Sequence, residues 1–179
     1  MKFVAFVRNV NLGQPGSPTR AQLESAFLLA GAGEAASFMS NGTLVFSVSR
    51  SRLAQGAARR ACEILSEVCG LKEPVFVQSL VHLAQLAAEN PFADFDTSAI
   101  SERCISFFEP SATAKLKAPL ESERRDCLVF RVEPGEALSI TQTIGGKAGY
   151  PNLVLEKTLG LPVTTRGWTT ILRLVARHA

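Results

Sequence analysis

Apolar segments in this chain come in two lengths, and they come in the same order twice. Phe3-Val4-Ala5-Phe6-Val7 is a continuous, β-prone run of strand length. A polar loop rich in Asn, Gly and Pro follows. Thr19 with Gln22 three residues later has the form of a capping box. The helix it opens places Leu23, Ala26, Phe27 and Ala30 on one face, and Gly31 stops it. Ala36 to Ser40 and Thr43 to Ser49 read as strands about Asn41-Gly42, a strong two-residue hairpin signal. Ser51 reads as the cap of a helix striped with Leu53, Ala57, Ala61, Ile64, Leu65 and Val68. Gly70 closes it, and Pro74 to Gln78 is a further strand. The order is β-α-β-β-α-β, the split βαβ or ferredoxin-like unit.

Ser79 is placed to cap a connecting helix with Leu80, Leu83, Ala84, Leu86 and Ala87, ending before Pro91. A loop from Phe92 to Ile100 follows. Then the order recurs. Cys104 to Phe108 is a strand, Ser111 to Ala118 a short helix stopped by Pro119, and Asp126 to Val132 a strand. Pro134-Gly135 makes a turn into Ala137 to Gln142. Tyr150 to Leu159 is a helix with Pro151 early and Gly160 past its end. Pro162 to Thr165 is a last short strand. A final helix from Trp168 carries Ile171, Leu172 and Val175 at helical spacing. The predicted class is therefore α+β: two tandem ferredoxin-like (βαββαβ) subdomains at 1–79 and 102–179, joined by a helix and loop at 80–101, with a C-terminal helix. The halves are alike in element order and not in residues. A lone sheet of this kind is open on one face, and its strands alternate. Strand 3–7 does not, so both its faces are expected to be covered, the other half being the nearest candidate for the open one.

Composition narrows the class. Apolar residues are 46% of 179, ample for a core. No apolar run exceeds strand length, so no membrane span and no membrane partner are expected. The run between Lys2 and Arg8 is too short for a signal-peptide core, which points to the cytoplasm. The charge of +3, from 19 basic and 16 acidic residues, permits an anionic partner without requiring one. Arg50, Arg52, Arg59 and Arg60 come nearest to a basic patch, but their helical spacing spreads them and reads as a solvated face. Cys62 and Cys69 lie roughly 10 Å apart along one helix, too far for a bridge. Without a CxxC, these two and Cys104 and Cys127 are expected to be reduced, mostly buried thiols.

Catalytic templates are missing. The only histidines are His82 and His178, neither with an obvious acid or thiol partner. No HExxH, GxSxG, Walker A or GxGxxG pattern occurs, and no cofactor or metal is called for. Gly145-Gly146-Lys147-Ala148-Gly149 has the composition of a phosphate cradle but reads better as a hairpin-to-helix loop. Asp94 and Asp96 have hard-cation chemistry but read better as a solvated loop. Three polar segments stand out: Arg8 to Gly13 after the first strand, Asn41-Gly42-Thr43 at the hairpin, and Thr164 to Thr170 where the last helix starts. Arg beside hydroxyls at a helix start suits an oxyanion. Candidate ligand residues are Arg8, Asn9, Asn11, Gly13, Thr43, Arg166, Trp168 and Thr170. The competing reading is structural: Thr caps the helix, Trp168 fills the core, and Arg166 meets a carbonyl or an acid.

The same segments resemble an uncharacterised bacterial family, the domain of unknown function 1697. Its opening strand typically ends Arg-Gly-Ile-Asn-Val-Gly-Gly, and here Arg8, Asn11 and Gly13 are retained. Its hairpin motif Ser-Gly-Asn-Val-Val-Phe is similar to Asn41-Gly42-Thr43-Leu44-Val45-Phe46. Its Asn-Pro-Phe corresponds to Asn90-Pro91-Phe92, and Thr-Thr-Arg-Asn-Trp-Asn-Thr to Thr164-Thr165-Arg166-Gly167-Trp168-Thr169-Thr170. The chain departs at Thr43, Gly167 and Thr169, where the family carries asparagines. The resemblance implies two ferredoxin-like subdomains and no particular reaction. With the missing catalytic pairs, the sequence points to a non-catalytic binding module for an anionic ligand, a nucleotide or nucleic-acid phosphate. An enzyme on a small anionic substrate and a scaffold with purely structural signature residues are the alternatives. RNA binding through the sheets is disfavoured, since their aromatic and basic strand signature is absent.

Overall fold

Thr19 does what its spacing predicts. Its hydroxyl accepts from Gln22 N at 3.2 Å, while Gln22 Oε1 accepts from Thr19 N at 2.8 Å, closing the capping box. The helix that it starts, α1 (Arg20–Leu29), is one of two that cover a four-stranded antiparallel sheet. The computed structural model describes residues 1–96 and 98–179. It is a mixed α/β structure with antiparallel sheets, dividing into a first unit of residues 1–85 with 178–179 and a second of residues 86–177. The division falls inside the helix that follows the first sheet.

In the first unit, β1 (Lys2–Val7) lies between β3 (Thr43–Ser47) and β4 (Val75–Ser79), antiparallel to both, with β2 (Glu34–Ser37) outside β3. Helix α2 (Ala54–Cys69) lies beside α1. One face of the sheet joins both helices in a core of Ala5, Val7, Phe46, Leu23, Phe27, Ala58 and Leu65. The Phe27 and Phe46 rings are 5.1 Å apart. Val4 and Phe6 alternate to the opposite face and are fully buried too, which is why the run carries no polar residue.

Two local expectations are corrected. The Asn41-Gly42 connection is a hairpin, but its loop is Phe38 to Gly42, closed by Phe38 N donating to Thr43 O at 2.8 Å. A two-residue type I′ turn needs positive φ at both positions, and only Gly42 has it, at 75°. Gly42 is also pressed against the chain: a Cβ there would meet Val7 O at 2.8 Å and Val10 Cβ at 2.9 Å. Nor does Ser51 cap α2. It opens a 3-10 turn, Ser51–Leu53, and the helix begins after Leu53 without a side-chain cap.

Helix α3 (Leu80–Glu89) carries the chain onward, its start held by Ser79 Oγ accepting from His82 N at 3.0 Å. The second sheet is also antiparallel. It comprises β5 (Glu102–Phe107), β6 (Leu120–Glu121), β7 (Cys127–Glu133), β8 (Glu136–Thr141) and β11 (Thr164–Gly167), in the order β11-β5-β8-β7-β6. The Pro134-Gly135 turn pairs Glu133 with Glu136 as expected. The helix expected at Ser111–Ala118 is a 3-10 segment, Pro110–Lys115, with Ala112 its buried residue. It has too few apolar positions to seat an α-helical stripe. The edge strand β6 escaped the sequence because a two-residue element has no periodicity. The glycine-rich segment is a small hairpin, β9 (Thr143–Ile144) against β10 (Lys147–Ala148), with Gly145 and Gly146 both at positive φ. Helix α4 (Pro151–Leu159) packs Leu155 and Leu159 on Val129, Ala137 and Phe108, and α5 (Trp168–His178) follows β11 directly.

All four cysteines are free. Burial, then the neighbouring Glu63, pushes the Cys62 thiol up to about 12. Burial and Asp126 push Cys127 up to about 11, and Cys104 is raised as well, by burial and Glu102. Raised thiols stabilise the fold while both states are protonated, and that contribution is lost as pH climbs above the unfolded value near 8.5. The urea midpoint should therefore fall between about pH 8.5 and 11, and fall less in Cys62→Ala. Denatured, unreduced protein should titrate four thiols. Thr19→Ala should lower stability by about 1 kcal/mol, whereas Ser51→Ala should change it by a few tenths at most; urea unfolding of both variants checks the contrast.

Candidate functional site

Two of the three polar segments meet within the first unit, at the end of the sheet where β1 stops. Val7 N donates to Gly42 O, and Leu12 N to Ser40 O at 2.7 Å, so the loop after β1 is stitched to the hairpin tip. Within the loop, Gln14 N reaches Asn11 O and Asn11 N reaches Ser17 Oγ at 3.1 Å, while Gly13 turns the chain at a φ of 81°. Arg8 leaves β1 half-buried, with its amide on Pro74 O at 3.0 Å. Asn9 follows in the left-handed region, φ 51°.

That backbone reversal aims both side chains at one carboxylate. Arg8 donates from NH1 to Glu73 Oε2 at 2.8 Å, and Asn9 donates from Nδ2 to Glu73 Oε1 at 2.9 Å. A guanidinium and an amide thus hold the two oxygens of one oxyanion. Glu24, the acid nearest Arg8 along the chain, accepts from Ser37 N at 2.8 Å, and it is the antiparallel pairing of Val7 with Val75 that delivers Glu73. Thr43 is fully buried, its hydroxyl donating to Asn41 Oδ1 at 2.8 Å, whereas Asn9, Asn11 and Gly13 are exposed.

The third segment lies in the second unit and is built differently. Arg166, 7% exposed on β11, donates from NH1 to Thr164 Oγ1 at 2.8 Å and to the Thr165 carbonyl at 2.9 Å. Burial pushes its guanidinium down to about 10, still charged at neutral pH. Thr165 faces the other way. It bonds Ser106 across the strands at 2.7 Å and donates to Asn152 Oδ1, and Asn152 in turn donates to Val163 O at 3.1 Å. Asn152, buried in the first turn of α4, had no signal in the sequence. Trp168 is 1% exposed with its ring 5.1 Å from Phe92. Thr170 is half-buried on α5. At Gly167 the Glu102 carboxylate occupies the room that a side chain would need.

The remaining candidates fall into place locally. Asp96 accepts from the amide and hydroxyl of Ser98 at 2.9 and 2.8 Å, which lowers its pKa. His178 packs edge-on against Phe38, and its carbonyl accepts from Lys2 Nζ at 2.8 Å. Gly149 admits no Cβ, since the Asp126 backbone fills that place.

The buried indole makes a direct test. Trp168→Ala should lower stability by about 3–5 kcal/mol, and the native fluorescence should be blue-shifted relative to free tryptophan. A neutral substitution with water-like fluorescence would contradict the packing.

The fold has a solved counterpart. The conserved bacterial protein SP0830 from Streptococcus pneumoniae is similar with a TM-score of 0.65 over 98% of this chain and 97% of its own, at 14% identity. No curated protein matches the chain. The family profile described as protein of unknown function (DUF1697) matches residues 1–137, which include the Arg8 loop, the hairpin and Asn90-Pro91-Phe92, and the chain belongs to that family.

Proposed function

We propose that the protein is a non-catalytic binding module for an anionic ligand, a nucleotide or nucleic-acid phosphate, built from two ferredoxin-like units in tandem. For the architecture, the support is the shared strand order: β2-β3-β1-β4 in one sheet, and β7-β8-β5-β11 inside the other once β6 is set aside. For the binding, it is the Arg8–Asn9 clamp, which already holds both oxygens of a carboxylate at 2.8 and 2.9 Å. A phosphate presents the same oxygens with more charge, and Arg takes it with directional hydrogen bonds. Glu73 stands where the ligand would sit. Its pair with Arg8 leaves the two side chains 21% and 29% exposed, within reach of exchange. Asn11 and Gly13 belong to the exposed loop beside it.

A specific observation favours the scaffold reading for the other segment. Trp168 is buried and Arg166 is spent on a neighbouring hydroxyl and carbonyl. We therefore place ligand binding at the Arg8 end and give Arg166 and Trp168 structural roles.

Calorimetry with inorganic phosphate and a nucleoside monophosphate tests this. Wild type should bind weakly, and more weakly still with added salt. Arg8→Ala should abolish binding. Glu73→Gln should tighten it about fivefold, the equivalent of losing a competing pair of about 1 kcal/mol. If Glu73→Gln only lowers the melting temperature and no anion binds, the clamp is structural.

A further inference from the structure

The excess positive charge is not spread over the chain. The first unit holds eight basic residues and five acidic ones, the second eleven of each, so the whole +3 belongs to the first. Within it, residues 35–62 contain four arginines and no acid. Most of the unit's other arginines are engaged: Arg8 on Glu73, Arg20 on the Ser37 carbonyl, Arg60 on Glu63 at 3.2 Å. Among the described residues, the side chains of Arg50, Arg52 and Arg59 have no ion pair or hydrogen bond, and all three are exposed.

Their placement runs against local stability. Arg50 precedes the 3-10 turn that leads into α2 and Arg52 lies within it, while Arg59 and Arg60 lie in the helix's first half. A helix N-terminus carries a partial positive charge and favours acids. The first turn of α2 has none, and no side chain caps it. Residues that violate a local rule without internal compensation mark places where function sets the choice.

We propose that the exposed segment leading into α2, with Arg50, Arg52 and Arg59, is a sequence-independent binding surface for the phosphodiester backbone of a nucleic acid. Arginine forks match phosphate oxygens, and a closely spaced row of phosphates satisfies three unpaired guanidinium groups without requiring acids at matched positions. No exposed aromatic side chain lies at residues 50–60, so bases are not stacked and only the backbone is read. Because β3 runs antiparallel to β1, Arg50 lies at the opposite end of the sheet from the Arg8 clamp, and the two sites can be separated by mutation.

Fluorescence anisotropy with two short DNA duplexes of unrelated sequence tests the surface. Both should bind alike. With three phosphates neutralised, affinity should fall about 40-fold between 50 and 200 mM salt. The triple variant Arg50→Gln/Arg52→Gln/Arg59→Gln should lose binding and the salt slope while keeping or raising its melting temperature. Each single variant should lower the slope by about one. The same triple variant should keep the binding of inorganic phosphate seen by calorimetry, so failure here is distinguishable from failure of the clamp. No binding at low salt, binding indifferent to the triple variant, or equal arginine-dependent binding of polyglutamate or anionic phosphatidylserine vesicles would overturn the proposal.

Discussion

Strand β1 has a hydrogen-bonded neighbour on each side and buried side chains on each face, and the first unit is arranged around that double burial. A strand with one wet face alternates; β1 has no polar position between Lys2 and Arg8 to offer. It sits inside the sheet, and its antiparallel neighbours bring the Gly42 end and the Pro74 end back to Val7. The polar groups that gather where β1 stops are a consequence. The chain leaves the core abruptly, and the loop that turns it must satisfy its own amides.

The two signature arginines show how one residue type serves two ends. A guanidinium stays charged and is costly to bury without partners. Arg166 is buried among short local contacts, a hydroxyl two residues back and the carbonyl before it. Arg8 reaches 65 residues along the chain to a carboxylate near the surface. The first arrangement is rigid and hard to exchange with solvent. The second is a partly exposed ion pair, which is worth little in stability and is correspondingly easy to exchange.

Much of the element order was legible because it depends on short-range chemistry. The capping box at Thr19, the glycine stops after α2 and α4, the Pro134-Gly135 turn and the Ser79 cap are each decided within a few residues. The misjudged elements are those where local signals compete. Asn41-Gly42 carries the dipeptide of a tight turn, yet Gly42 is held against Val7 and Val10 and the loop widens. Ser51 has a capping side chain, yet the helix waits for Ala54. At the candidate site, Arg8, Asn9 and Asn11 were visible as a polar segment directly after an apolar strand, while Glu73 was not, since nothing near it in sequence marks it.

By itself the sequence determined most of the strands and helices, that both faces of β1 are buried, and that Cys62 and Cys69 are too far apart on α2 to bridge. Those follow from periodicity, rise per residue and turn chemistry, all local quantities. Only the tertiary structure decided that Glu73 answers Arg8, that Asn152 fixes Thr165, and that Arg50, Arg52 and Arg59 go unanswered among the described residues. Partner choice for a charge depends on distance through space, and antiparallel register brings together residues whose separation along the chain gives no hint of it.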